Sequence, residues 1–398
     1  MRINLNVFQR FLRTGSGGSQ VLLLSLVGSL ILANTSAADS FQQLLGLELG
    51  LFTLTGWIND ALMSIFFLLV GLEIKRELVE GELASIKRAS LPVLAAFGGA
   101  VTPAIIYYAL NRNTASETGW GIPMATDIAF ALAALSILGK RIPPALKVFL
   151  AALAIADDLI AILVIAIFYS TKLEALYLLY AAGILALLFT FNRVGVKRLI
   201  FYLIPGVALW LCVHHSGVHA TIAGVLLAIT LPTTPGADES PLEKLECALT
   251  KPVNFLILPL FALANTAIHF EPQMLQGLSS ELSLGIITGL VFGKPAGICL
   301  TSLLAISAGV ARLPAKTSWR QLLGAGVLGG IGFTMSTFIA LLSFSDHLIQ
   351  ENAKFAVLIA SVTAALIGIS ILALPGRKPG MRRIPQPQPE EGRVSGES

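Results

Sequence analysis

Between residues 20 and 374 apolar runs recur, each close to the length that crosses a hydrocarbon core of about 30 Å. Runs of that kind read as helices, because a helix satisfies its backbone amides within its own segment, where no water can do so. The expected fold class is therefore an all-α polytopic membrane protein. With 55% hydrophobic and only 13% charged residues among 398, and a mean hydropathy of +0.80, the chain lacks the polar surface that a soluble domain needs. Residues 1–374 read as a single transmembrane domain, and the Pro-rich, charged stretch 375–398 as a disordered tail.

Twelve spans are expected, at about 20–33, 59–74, 90–110, 120–138, 147–170, 175–191, 199–212, 217–231, 253–268, 284–308, 322–344 and 355–374. The formal charge of +4 would suggest a nucleic-acid or acidic-lipid partner if the basic residues formed a patch. Instead they report topology. On this span count 23 of the 27 Lys and Arg lie on the side of the two termini. The opposite side has Arg112, Lys172 and Lys354, and Lys294 lies inside a span. That split places both termini in the cytoplasm, and no nucleic-acid partner is expected. Arg10 and Arg13 followed by an apolar run and "TSAA" resemble a secretory leader, but its removal would leave an odd number of spans and spoil the alternation of charge. Cys212, Cys247 and Cys299 are odd in number and far apart, which argues against a disulfide framework and a zinc site.

The stretch "LAIADDLIAILVIA", 153–166, sets Asp157 and Asp158 in the middle of an apolar span. Each costs about 2.5–3.5 kcal/mol at a membrane centre. The thirteen Leu, Ile, Val and Phe of 148–169 return about 4–8 kcal/mol together, so the pair cancels roughly all that the span gains. A structural salt bridge to Lys294 is one reading of such a cost. Adjacent helical residues point about 100° apart, so one lysine does not easily satisfy both, and one acid is left for something mobile. A third acid, Asp127, follows Gly119, Gly121, Pro123 and Thr126 in the fourth span. Pro123 disturbs the helical ladder there. The eleventh span carries Gly324, Gly326, Gly329, Gly330 and Gly332, then Thr334, Ser336 and Thr337. Two interrupted spans at corresponding positions point to a transporter site built from discontinuous helices. Spans 3–5 and 10–12 are seven apart, an odd number, so corresponding members cross in opposite directions, as in an inverted repeat.

Asp127, Asp157, Asp158 and Lys294 carry −3 and +1, leaving −2 when all are ionised. Such a site suits cations, and oxygen ligands suit a small alkali ion or protons. Competition of the two for the same oxygens becomes obligatory exchange if only the loaded site can change the side it faces. Because the acids outnumber a single bound ion, more than one proton can be displaced, which makes the cycle electrogenic. No cofactor is expected. An intramembrane aspartyl protease also needs paired acids, but it wants them on two helices with a Gly-x-Gly-Asp motif that is absent. A passive cation channel fits less well, because a buried lysine beside acids makes a deep binding site.

The motifs "WINDALMSIFFLLVGLEIKREL", "ATDIAFAL", "LAIADDL", "SGVHAT", "LPLFALANT", "GKPAGI" and "GIGFTMS" resemble, in order from about residue 20 to 374, the NhaA-type sodium/proton antiporters. The resemblance implies a bacterial inner-membrane antiporter of twelve spans, with the fourth and eleventh unwound and crossing near the midplane. An inverted repeat is an established property of that family, so that expectation is not independent of the resemblance. It implies cytoplasmic Na+, or Li+, exchanged for external H+ under pH control, for sodium and pH homeostasis. By motif, Asp158 resembles the principal ion ligand, Asp157 its partner, and Lys294 the lysine that pairs with Asp157 when protons are bound. Asp127 and Thr126 resemble the residues at the helix crossing, where Asp127 would face positive helix dipoles and Lys294 negative ones.

The resemblance also implies a pH-sensing cluster at Glu73, Arg76, Glu77 and Glu246. From the residues alone, each reads first as part of a solvated helix end. Cys247 and Thr250 stand where relatives can carry further titratable groups. His219 in "SGVHAT" reads as a helix-end polar residue as well as a sensor candidate. Asp60 reads as a helix cap. The first outer loop, "LGLELGLFTLTGW", alternates weakly around Gly50 and is expected to form a β-hairpin, which in this family joins two protomers into a homodimer.

Overall fold

The computed structural model of the chain describes residues 5–170, 173–233, 240–270 and 272–374. The tail expected at 375–398 and Lys172 lie outside them.

Helix α1 (Leu5–Ala33) turns by 118° between its segment Gly17–Ala33 and α2 (Ala38–Leu45). A hairpin follows, β1 (Glu48–Leu49) pairing antiparallel with β2 (Phe52–Thr53), with Gly50 at φ +75° in the turn. Left-handed backbone of that kind costs a residue with a Cβ, which is why glycine stands there. Thr53 then caps α3 (Leu54–Val79), its Oγ1 accepting from Gly56 N at 3.1 Å. The cap assigned to Asp60 is therefore corrected. A threonine hydroxyl upstream already starts the helix, and Asp60 lies inside a π-helical turn, Trp57–Leu62.

After α3 come α4 (Ile86–Asn111), a 3-10 segment (Glu117–Met124), α5 (Ile128–Ile137), α6 (Pro144–Phe168), α7 (Ala175–Val194), α8 (Ile200–His215) and α9 (Ile222–Thr230). The longer helices of the remainder are α10 (Pro241–Asn265), α11 (Glu281–Ser307), α12 (Trp319–Gly329), α13 (Phe333–Ser343) and α14 (His347–Ala373). Both α10 and α11 contain a π turn, Val253–Ile257 and Gly289–Gly293. Each contains the residue four before a proline, Phe255 before Pro259 and Val291 before Pro295. Widening the helix there relieves the contact between a proline ring and the carbonyl one turn back.

Among the described residues eight helices are long and apolar enough to cross a membrane, or ten if each bent pair is one span. Each of the twelve expected segments overlaps helix, although 125–127, 217–221, 266–268 and 330–332 within them are not helical. Two of them, at 199–212 and 217–231, correspond to α8 and to the nine-residue α9, which are too short to count by length alone. Helix α9 begins late because turns fill the stretch before it, with Gly217 at φ +83°.

Helices α4 and α11 approach closely, so that a Cβ on Gly297 would lie 2.0 Å from Gly98 O. Apolar residues of α1, α3, α10, α13 and α14 form one core and those of α4, α5, α6, α11 and α12 a second. Helix α6 contributes to both, so the aspartates in its middle sit where the two cores meet.

Candidate ion-binding site

Two helices are interrupted, and the interruptions touch. The 3-10 segment ends at Met124, Ala125–Asp127 is extended, and α5 follows. The other break is Gly330–Gly332, between α12 and α13, with a bend of 43°. Asp127 N donates to Ile331 O at 2.7 Å, and Ser336 Oγ donates to Ile122 O at 2.7 Å. Backbone groups that a broken helix leaves unpaired are thus satisfied by the other broken helix.

Asp127 holds this arrangement at two helix starts. Its Oδ1 accepts from Phe130 N at 3.1 Å, capping α5, and its Oδ2 accepts from Thr334 N at 3.1 Å and Thr334 Oγ1 at 2.5 Å, at the start of α13. A negative group between two positive dipole ends is a favourable placement. Both oxygens already have partners, so Asp127 acts as an anchor of the crossing.

Asp157 and Asp158, 1% and 3% exposed, lie beside the first break. Asp157 Oδ2 is 2.8 Å from Lys294 Nζ and 2.6 Å from Thr126 Oγ1. Thr126 Oγ1 also lies 2.8 Å from Gly329 O, across the second break. Its single proton serves one of these two acceptors at a time. Lys294, fully buried, stands directly after the π turn of α11 and also donates to Met124 O, at the C-terminal end of the 3-10 segment. Asp157 Oδ1 and Asp158 Oδ1 are buried with no hydrogen-bond partner among the described residues. A buried carboxylate oxygen left in that condition is costly unless a cation, metal or proton, discharges it. Among the described residues no three His, Cys, Asp or Glu converge, so a cation here would be held by two carboxylates and neutral oxygens.

The residues singled out as a pH-sensing cluster form a second group. Arg76 Nη1 is 2.6 Å from Glu246 Oε1 and Nη2 is 3.3 Å from Glu77 Oε1. Glu77 Oε2 accepts from Glu82 N at 3.0 Å. Glu73 is buried one turn before Arg76 and faces a cavity of about 50 Å³ that Ser19, Ser136 and Asn254 also line. Thr250 Oγ1 is turned back to Glu246 O, and Cys247 is exposed. His219 belongs elsewhere, its Nδ1 2.9 Å from Thr221 Oγ1, its Nε2 3.7 Å from Asp60 Oδ1, and its ring edge-on to Phe338 of α13.

Four contributors went unread in the sequence. Met124 O and Gly329 O offer no signal, since every residue has a carbonyl. Ser361 Oγ accepts from Phe333 N at 3.2 Å, at the first amide of α13. A polar residue inside an apolar span was the available sign. Lys75 Nζ donates to Ile229 O at 2.7 Å and to Leu231 O, closing the C-terminal end of α9.

A helical membrane protein whose buried ionisable groups meet at two broken helices has the architecture of a secondary transporter. The chain belongs to the family described as Na+/H+ antiporter 1, whose profile matches residues 9–372. It is similar to "Na(+)/H(+) antiporter NhaA 2" of Flavobacterium johnsoniae, 58% identical over 380 residues and 93% of each chain. It is also similar to "Na(+)/H(+) antiporter NhaA" of Cytophaga hutchinsonii, 47% identical over 94% of this chain and 96% of that one. The protein of the same name from Rhizobium etli is 45% identical over 94% and 97%.

Proposed function

We propose that Asp157, Asp158, Thr126 and Lys294 bind Na+ and H+ alternately, with Asp127 holding the crossing on which they stand. By family the chain is a sodium/proton antiporter, a transporter and not an enzyme. The observation that carries the assignment is the pair of buried, unpartnered oxygens Asp157 Oδ1 and Asp158 Oδ1 beside the Lys294–Asp157 bond.

Sodium competes with the Lys294 ammonium for Asp157 and with a proton for Asp158. When sodium is bound, Asp158 surrenders its proton, and Lys294, losing its partner, gives up a second. When sodium leaves, protons and the lysine restore neutrality. Two protons released for one monovalent ion make the exchange electrogenic, and Li+, a smaller hard cation, uses the same oxygens. In this reading cytoplasmic Na+ or Li+ leaves while external H+ enters, across a bacterial inner membrane with both termini in the cytoplasm. The span order of the reading is twelve, with spans 3–5 and 10–12 inverted relative to each other. The hairpin β1–β2, with Leu49 and Leu51 exposed, suits contact with a second protomer.

The Arg76–Glu77–Glu246 group with Glu73 is assigned the pH control. Three acids around one arginine change net charge on protonation, while Cys247 and Thr250 give this chain fewer titratable groups in that segment. Sodium-driven proton movement in everted vesicles tests the assignment. Asp158→Asn is expected to abolish it, and near-normal exchange by that variant would remove Asp158 from its role.

A further inference from the structure

We propose that the loop between α11 and α12, with the groove beside it, seats an anionic phospholipid. The groove is lined by Cys299, Leu300 and Leu303 of α11 and by Trp319, the first residue of α12. Cys299 and Leu303 are a turn apart, about 6 Å along the helix, so the groove runs along α11 toward the loop. Leu300, Leu303 and Trp319 are 54%, 50% and 40% exposed. On a helix that crosses a membrane, an acyl chain covers such a strip. The tryptophan stands at the loop end, where an indole spans the change from hydrocarbon to headgroup.

The loop supplies the headgroup chemistry. Arg312 and Lys316 are exposed, and no Asp or Glu occurs between Glu281 and Asp346. Arg320 is tied to Leu374 O at the end of α14, so the cations offered to a headgroup from the loop itself are the other two. The platform is built: Ser90 Oγ donates to Val310 O at 3.2 Å, Ala311 is buried, and Ser318 and Gln321 form a capping box at the start of α12. The stretches 139–143 and 193–198 are also basic, so charge alone does not single out this end of α11. The adjoining groove does. A zwitterionic lipid would fill the groove equally well but would leave the two cations facing a headgroup with a positive charge of its own.

Trp319 provides the readout. The other tryptophans stand apart from it: Trp57 and Trp210 stack beside the hairpin, and Trp120 packs against Phe168. In nanodiscs, brominated phosphatidylglycerol is compared with brominated phosphatidylcholine, and the Trp319 signal is the unaltered protein minus Trp319→Phe. A basic residue near an anionic headgroup contributes about five-fold in binding, so two give a preference of roughly 25-fold for phosphatidylglycerol. Arg312→Gln with Lys316→Gln, both at exposed positions, is expected to abolish the preference and leave quenching by phosphatidylcholine intact. Equal quenching of the unaltered protein by both lipids overturns the proposal, as does a preference that survives the double substitution. Loss of the preference on adding inorganic phosphate marks a free-anion site and overturns it too.

Discussion

Asp157 and Asp158 are neighbours in sequence with different surroundings, and the difference follows from helical geometry. Asp157 turns one oxygen to Lys294 and Thr126, while Asp158 Oδ1 has no partner among the described residues. Lys294→Ala would leave Asp157 buried without its cation, a change that costs about 3–5 kcal/mol in comparable buried pairs. A clear fall in the melting temperature of the purified protein is expected, with exchange weakened but not abolished; an unchanged melting temperature would mean that Asp157 finds another partner. Thr126→Val removes the hydroxyl between Asp157 Oδ2 and Gly329 O and is expected to cost about 1–3 kcal/mol, the penalty of an unmet buried acceptor. The same melting measurement checks it. The acids and the lysine were legible in the sequence because a charge in an apolar run is costly and therefore conspicuous. Of their neutral partners, Thr126 and Thr334 stood out beside the breaks, but not which acid each would meet. Thr334 lies 207 positions from Asp127, and the carbonyls of Met124 and Gly329 are chemically identical to all others until the fold brings them in.

The breaks themselves show what an element-level reading can reach. Pro123 and the glycines of 324–332 marked both interruptions, because proline removes a donor and glycine weakens a helix. What they could not reveal is that Asp127 N meets Ile331 O, so that each break completes the other. Helix starts were less legible: Asp60 reads as a cap, yet the hydroxyl of Thr53 begins α3 seven residues earlier. The close approach of α4 and α11 yields a sharp contrast. In Gly297→Ala the new methyl would meet the backbone carbonyl of Gly98, which no rotamer change relieves, whereas a methyl at Gly28 has nothing within 4 Å. We expect Gly297→Ala to lower the thermal midpoint by an amount equivalent to about 1–3 kcal/mol, with Gly28→Ala close to neutral. Thermal unfolding followed by fluorescence-detected size exclusion separates the two, and equal midpoints would contradict the packing described.

For the whole molecule, the sequence carried the class well, because apolar runs and lopsided basic loops are summed over hundreds of residues. Counting was harder. Helices α8 and α9 are short, so length and composition give up to ten crossings where the charge pattern asks for twelve. The hairpin was readable from Gly50 and weak alternation, and its exposed Leu49 and Leu51 give the proposed dimer a test. Light scattering of Leu49→Asp with Leu51→Asp is expected to report monomers, and a persistent dimer would place the interface elsewhere. The central claim, that one set of buried oxygens holds either sodium or protons, is tested most directly by calorimetric sodium titration of the purified protein in buffers of different ionisation enthalpy. A cation that takes over protonated oxygens must expel their protons, so sodium binding should release protons at alkaline pH, and Asp158→Asn should bind no sodium. Sodium binding that releases no protons at any pH, or that persists in Asp158→Asn, would contradict the account.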